Sequence, residues 1–276
     1  MPERQNVAVV HGWSVDDITA HLVRLGVAEG DVLMVHTSLR AIGPVEGGAV
    51  GVIHALEAAV GPTGTLLVNV GVRDDWGWVN ERPESERAEL LRDAEPFDVL
   101  LTPSDPDVGV LAEVFRTRAG TVVSHNPEGR LAASGRLADR LMEDAPWNDY
   151  YGPGSPLERL VDARGRVLRL GADIDTVTLL HYAEYLAPVP SKRRVRRHRM
   201  VDTDIGPQLR TVECLDDSDG IVEYDGDDYF AIIMRQYIAS GRAATGVVGN
   251  ATSELIDAAD LVEFAVAWMA DNLVPR

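Results

Sequence analysis

Between Asp31 and Ser38 the chain reads Val-Leu-Met-Val-His-Thr, apolar at four successive positions and closing in the small polar pair Thr37-Ser38. A run that short and continuous predicts a strand covered on both faces, because a strand with one wet face alternates apolar with polar residues. The flanking segments supply the cover. Ser14 stands as an N-cap before VDDITAHLVRLGV, where Ile18, Leu22 and Leu25 fall at helical spacing until Gly26 stops the run. GAVGVIHALEAAV follows with Val52, Leu56 and Ala59 on one stripe; Gly61-Pro62-Thr63-Gly64 breaks it, and Thr65 to Val70 forms a second buried strand. Helix, strand, helix, strand over the first seventy residues indicates an α/β core.

From about residue 71 to 107 the periodicity is lost and acids accumulate, Asp74 and Asp75 among them, together with Trp76 and Trp78. A loop of this length is functional or disordered, and the tryptophans argue for packing. Beyond it, Gly109 to Arg118 reads as a helix, SHNPEGRLAASG as a turn-rich junction and GRLADRLMED as a short helix. Helices are predicted over Leu157–Val161 and from about Thr176 to Leu186, with RVLRLG as a strand between them. A last helix runs through LVEFAVAWMADNL. With no internal repeat and no linker, the simplest organisation is one domain over residues 1–276 with an acidic loop insertion at about 71–107.

The chain carries 44 Asp and Glu against 26 Lys and Arg, a net charge of -18. Such a field repels nucleic acid and anionic membrane and concentrates cations, so either a small polycationic partner or solubility alone accounts for it. The basic run SKRRVRRHRM reads as a clamp for phosphates or as an exposed strand or loop balancing local acid; the global charge opposes a nucleic acid. The single cysteine, Cys214, offers neither an internal disulfide nor a thiolate cluster for a metal, which suits a reducing cytoplasm. The amino terminus is charged at once, which reads as neither leader nor anchor, and no segment is apolar enough for a membrane span. A monomer and a homodimer both remain open.

Several motifs fail on their geometry. DDSDGIVEY would put Leu215 first and Gly226 last in a calcium loop. GPTGT joins a helix to a strand, the wrong order for cradling phosphate at a helix N-terminus. His181 and Glu184 share a helical face, but no second pair with ligand spacing accompanies them, so no metal is expected. GxSxG is absent.

Four blocks read together do carry a resemblance: VHTSLRAIGPVEGG at 35–48, GPTGTLLV at 61–68, SHNPEGRLAASG at 124–135, and GPGSPLERLV with RVLRLGADIDTVTLLHYAEYLAP between 152 and 188. In order and spacing they resemble the aminoglycoside 3-N-acetyltransferase (antibiotic N-acetyltransferase) family, which differs in fold from GNAT acetyltransferases. The resemblance implies an α/β fold with a mixed, largely antiparallel central sheet flanked by helices. It also implies acetyl-CoA-dependent N-acetylation of an aminoglycoside or related amino sugar, conferring antibiotic resistance.

By position, His36, Thr37, Ser38 and Leu39 match the segment along the pantetheine arm of coenzyme A, and Ser124 is counted with that group. Asp175 and Glu184 match carboxylates of the aminoglycoside cleft, and Asp74-Asp75 the acidic substrate loop. The family's third block reads Arg-Ser-x-His-Pro, its histidine being the general base. Here Asn126 holds that position and His125 stands one residue early.

The resemblance therefore implies a catalytic group among His125, Asn126, Asp175 and Glu184. His125 would be delivered by a backbone shift, Asn126 would donate to the oxyanion, and Asp175 or Glu184 would act through water. His181 is expected to pack within its helix. The expected reaction is direct transfer without an acyl-enzyme. The alternatives are a degenerate member that binds coenzyme A or antibiotic with little turnover, and an acyltransferase for another amine.

Overall fold

The protein was analysed as a computed structural model that describes residues 12–273, so the first eleven residues of the charged amino terminus lie outside the described part. Nine strands are present among those residues: β1 (Val32–Thr37), β2 (Thr65–Asn69), β3 (Val122–Val123), β4 (Leu131–Gly135), β5 (Arg166–Leu170), β6 (Arg194–Val201), β7 (Gln208–Leu215), β8 (Ala244–Val248) and β9 (Ala251–Asp257). Seven of them make one sheet in the order β3-β4-β2-β1-β5-β9-β8, and β6 pairs with β7 in a separate hairpin. β1 runs parallel to β2 and β5, while the other four pairings of the large sheet are antiparallel. The sheet is thus mixed and largely antiparallel, as the resemblance implied.

Ten helices accompany it among the described residues: α1 (Val15–Leu25), α2 (Leu39–Ile42), α3 (Gly48–Val60), α4 (Glu84–Leu90), α5 (Val110–Arg116), α6 (Ala138–Met142), α7 (Pro156–Asp162), α8 (Leu179–Leu186), α9 (Tyr229–Ala239) and α10 (Ala258–Asn272). The continuous apolar run of β1 is explained by helices on both sides. Leu33 and Val35 point into a core shared with Ile18 and Leu22 of α1 and Leu56 of α3. Val32 and Met34 point the other way, into a core with Leu180 of α8 and Met269 of α10. Each of these four strand side chains is at most 7% exposed, and each contributes roughly 1.5–3 kcal/mol by leaving water. Ser14 caps α1 as the sequence predicted, and Asp17 completes a reciprocal capping box that the sequence reading did not name.

The carboxyl half is less well anticipated. The junction read as turns contains β4, whose Leu-Ala-Ala-Ser-Gly lacks the β-branched residues that mark strands, yet it pairs with all five residues of β2. The predicted helix at Thr176 begins at Leu179, and α9 with the β8–β9 hairpin was not foreseen.

The acidic insertion is packed. It holds a 3-10 turn at Gly77–Glu81, α4, and a second 3-10 turn at Pro106–Val108. Val79, Leu91 and Ala94 bury themselves against Trp76 and Met200. The excursion therefore leans on the β6–β7 hairpin, joined to it by the Phe97–Val201 bridge and by the Asn80 side chain, which accepts from His198 N at 2.7 Å. No described helix is long and apolar enough to cross a membrane.

Candidate active site

The parallel strands β2, β1 and β5 end at one edge of the sheet, where Asn69, Thr37 and Leu170 hand the chain to loops; such an edge is where open α/β sheets build clefts. Gly171 makes the turn after β5. Its φ is +69°, and a Cβ there would lie 2.7 Å from the Cβ atoms of both Ala41 and Ala251, so only glycine fits. The turn releases residues 172–176 over the sheet edge and leads into α8.

Three clefts meet there, and His181 of α8 lines all of them. The first, about 550 Å³, runs along His36, Thr37, Ser38 and Leu39 to Val110 and Phe230. The second, about 410 Å³, lies between the acidic excursion and the hairpin and is lined by Asp74, Glu128, Asp217, Arg197 and Arg199. The third, about 280 Å³, has six carboxylates in its wall, Asp175, Glu184, Asp217, Asp219, Asp227 and Asp228, and no lysine or arginine among its lining residues, although Arg197 pairs with Asp217 and Arg235 with Asp227 from outside it.

His181 is fixed on every side. Tyr151 stacks on its ring with centroids 5.1 Å apart, and Phe230 meets it edge-on at 4.8 Å. Its Nδ1 lies 2.8 Å from Glu184 Oε2. A carboxylate only accepts, so Nδ1 carries the hydrogen and Nε2 keeps its lone pair, the arrangement of a general base. Glu184 is 1% exposed, and its other oxygen accepts from Tyr229 Oη.

Burial by itself would strip a proton from His181, but the Glu184 carboxylate, helped by Asp217 and Asp228, outweighs it and holds the pKa above the usual histidine value. Only the neutral ring can accept a proton at Nε2, so any turnover that used it as a base would rise with pH through that raised value. The folding stabilisation from the pair has the opposite sense: it is complete below the ordinary histidine pKa and is lost as pH rises through the raised one. Glu184→Gln is expected to move the acid limb of kcat/KM to lower pH and to lower the plateau at least about tenfold, since an amide no longer dictates the tautomer. A profile from about pH 5 to 9 that stayed in place would refute this coupling.

Asp217 sits where the second and third clefts join. Burial would raise its pKa, but Arg197 at 2.7 Å, His181 and a 2.5 Å hydrogen bond from Tyr150 Oη keep it below the usual carboxylate value. Arg197 and Arg199 reach one face of β6 by strand alternation. Arg199 pairs with Asp74 and, at 2.5 Å, with Glu128. The basic run is thus a strand balancing local acid.

The structure separates the residues that the resemblance grouped. His36, Thr37, Ser38, Leu39 and Asp175 line the first cleft together, and Asp175 is exposed at its junction with the third. Asp74 faces the second cleft but is held by Arg199 and by Trp76 N at 2.9 Å, while Asp75 is an exposed partner of Arg73.

Three readings need correction. Asn126 is buried and lines none of the three clefts: Nδ2 donates to Trp147 O and Oδ1 accepts from Glu128 N and Gly129 N, which holds the carboxamide away from where an oxyanion would form. His125 points outward to solvent and lines none of the three clefts. Ser124 is buried with its hydroxyl accepting from Leu131 N, and it lines no cleft either. Glu184 lines the third cleft but is enclosed and engaged, so it orients His181 and is not free to grip a cation directly. The signal for His181 was present in the sequence as the i, i+3 pair with Glu184; its aromatic clamp comes from Tyr151 and Phe230, distant in sequence.

A family model described as aminoglycoside 3-N-acetyltransferase matches residues 34–270. The aminoglycoside N(3)-acetyltransferase VII of Streptomyces paromomycinus is 40% identical over 262 residues, covering 91% of this chain and 90% of that protein. Among solved structures, AAC-IIIb in a binary complex with CoASH superposes with a TM-score of 0.88 at 38% identity, over 95% of this chain and 97% of that one. AAC-VIa bound to sisomicin gives a TM-score of 0.86 at 36% identity, over 95% and 98%.

Proposed function

The chain belongs to the aminoglycoside 3-N-acetyltransferase family, and from that premise we propose that it transfers the acetyl group of acetyl coenzyme A to an amine of an aminoglycoside, with His181 as the general base. The observation that carries this reading is the position of His181 at the meeting of all three clefts, its Nδ1 committed to Glu184 and its Nε2 free.

The first cleft suits the thioester's extended arm, since Leu39, Val110 and Phe230 supply apolar wall and Thr37, Ser38 and Asn69 supply hydrogen-bonding groups for its amides. Bound there, acetyl coenzyme A supplies an activated acetyl group. The acidic second and third clefts receive the polycation, and charge-assisted bonds to carboxylates orient it. His181 takes the proton of the attacking amine, Glu184 stabilises the imidazolium, and the proton then goes to the departing thiolate. No covalent acyl-enzyme is required, so steady-state kinetics should be sequential, not ping-pong.

The reading places Asp175 at the junction where the sugar meets the thioester. Asp175→Asn is expected to raise the aminoglycoside KM about threefold to tenfold, with kcat little changed and a weaker dependence on salt. An unchanged KM would remove Asp175 from the site.

Free-thiol release from acetyl coenzyme A against a panel of aminoglycosides and simple amines tests the function. Turnover on aminoglycosides supports it; calorimetric binding with no thiol release would mark a degenerate binder, and turnover on other amines alone would mark a different substrate class. The lone cysteine and the need for acetyl coenzyme A assign the activity to the cytoplasm.

A further inference from the structure

The floor of the first cleft holds a polar row that the chemistry above leaves unused. At successive positions across the sheet His36 of β1 pairs in register with Arg169 of β5, and Arg169 with Glu254 of β9. The row is enclosed: His36 is 8% and Glu254 3% exposed. Arg169 Nη2 lies 2.6 Å from Glu254 Oε2, and Nη1 donates to Ala172 O in the loop that borders the cleft.

His36 Nε2 is buried with no hydrogen-bond partner, yet the ring lines the cleft. Burial first, and the neighbouring Arg169 cation second, lower its pKa to about 4, so the imidazole stays neutral at any working pH. A neutral imidazole has one N–H and one lone pair. An enclosed N–H without an acceptor costs about 1–3 kcal/mol, whereas an enclosed lone pair beside a guanidinium is electrostatically favourable.

We infer that His36 carries its hydrogen on Nδ1, presents that nitrogen to the cleft, and donates the hydrogen to the carbonyl oxygen of the thioester.

The neighbourhood fits that role. Asn69 lies beside His36 on β2, one position beyond the Val35–Val68 register pair, and its Nδ2 donates to Thr178 Oγ1 at 3.2 Å. Thr178 is one helical turn before His181, so strand floor and base are tied together. As the amine nitrogen bonds to the acetyl carbon, negative charge gathers on the carbonyl oxygen, and the C–S bond then breaks. The amine proton passes by His181 to the thiolate, and His36 gives up no proton. A neutral donor suits this step, because its hydrogen bond strengthens as the oxygen charges and it competes for no proton. The inference rests on the acetyl-transfer reading and deepens it, replacing Asn126 as the oxyanion donor.

The test pairs His36→Asn, whose amide can place N–H near the Nδ1 position, with His36→Leu, which cannot. The expected result is that H36L loses kcat on the order of 10²-fold with the acetyl-CoA KM within about threefold, while H36N stays within about tenfold of the parent. The acid limb of the pH profile should stay where His181 sets it. Equal losses in H36L and H36N, or a rise in KM with kcat intact, would overturn the inference.

Should H36L fail to fold, ¹⁵N-histidine NMR of the parent protein decides separately. An Nδ1–H tautomer that persists across the neutral range supports it, and an Nε2–H tautomer overturns it. Failure of the functional reading looks different: the parent itself would then release no thiol with any amine, whatever the His36 variants do.

Discussion

Replacing His181 by alanine is expected to lower kcat/KM for an aminoglycoside by about 10² to 10⁴, the range for losing a general base, and to leave coenzyme A affinity within a few fold. The size of the effect follows from what the site does at neutral pH. Most of a sugar's amines are ammonium there, and a nitrogen that attacks a thioester must be relieved of its proton. His181 is the only described residue shared by all three clefts. Its Nε2 is free because Glu184 claims Nδ1 and Tyr151 and Phe230 prevent the ring from turning.

The positioning of two substrates survives the substitution, and positioning alone is worth several kcal/mol, so residual turnover above the uncatalysed rate is expected. Thiol release and calorimetry on the same preparation check both halves. The control is His125→Ala: an exposed histidine outside every cleft should leave kcat/KM within about twofold. A loss below tenfold in His181→Ala, or a larger loss in His125→Ala, would return the base to the third sequence block.

That contrast also shows what the sequence could and could not disclose. The amino-terminal elements were legible because their evidence is local: caps, breakers and periodicity within windows of a dozen residues, as at Ser14, Gly26 and Gly61–Gly64. The β4 strand was hidden because Ala132, Ala133 and Ser134 have no strand preference of their own; their conformation comes from pairing with β2, over sixty residues away. Residue roles failed in the same way. Asn126 occupies the letter position of a base, but its function is decided by hydrogen bonds to Trp147, Glu128 and Gly129, none of which the letter reveals. Asp74 and Glu128 were part of a bulk acidic excess until β6 brought Arg199 between them. The acidic capture face is therefore smaller than composition suggests; around the third cleft, Asp217 is held by Arg197, Asp227 by Arg235 and Glu184 by His181, which leaves Asp175, Asp219 and Asp228 as its carboxylates without an ion-pair partner among the described residues.

Arg130 extends this logic to stability and yields the second large effect. It immediately precedes β4 inside the third sequence block, is fully buried, and has no role that the block's letters assign. Its guanidinium donates to the backbone carbonyls of Gly71, Val99, Thr102 and Pro103 and covers the Phe97 ring at 5.5 Å. These four carbonyls bracket the acidic excursion, so one side chain ties both ends of that long insertion to the sheet. Burial lowers the Arg130 pKa to about 10, which still leaves it charged at neutral pH.

Arg130→Leu would strand several buried acceptors, each costing about 1–3 kcal/mol where water cannot reach it, and a net loss of about 3–5 kcal/mol is expected. Thermal melting should fall by roughly 6–15 °C for a chain of this size. The loss should not be uniform. The sheet keeps its pairing, so coenzyme A binding in the first cleft should persist below the new melting temperature. The excursion, which presents Asp74 to the second cleft, should open and weaken aminoglycoside binding. Hydrogen exchange that rises over residues 71–105 before it rises in β1 and β2 is the signature of that local release. Exchange rising everywhere at once would mean that Arg130 supports the whole core and not the loop alone.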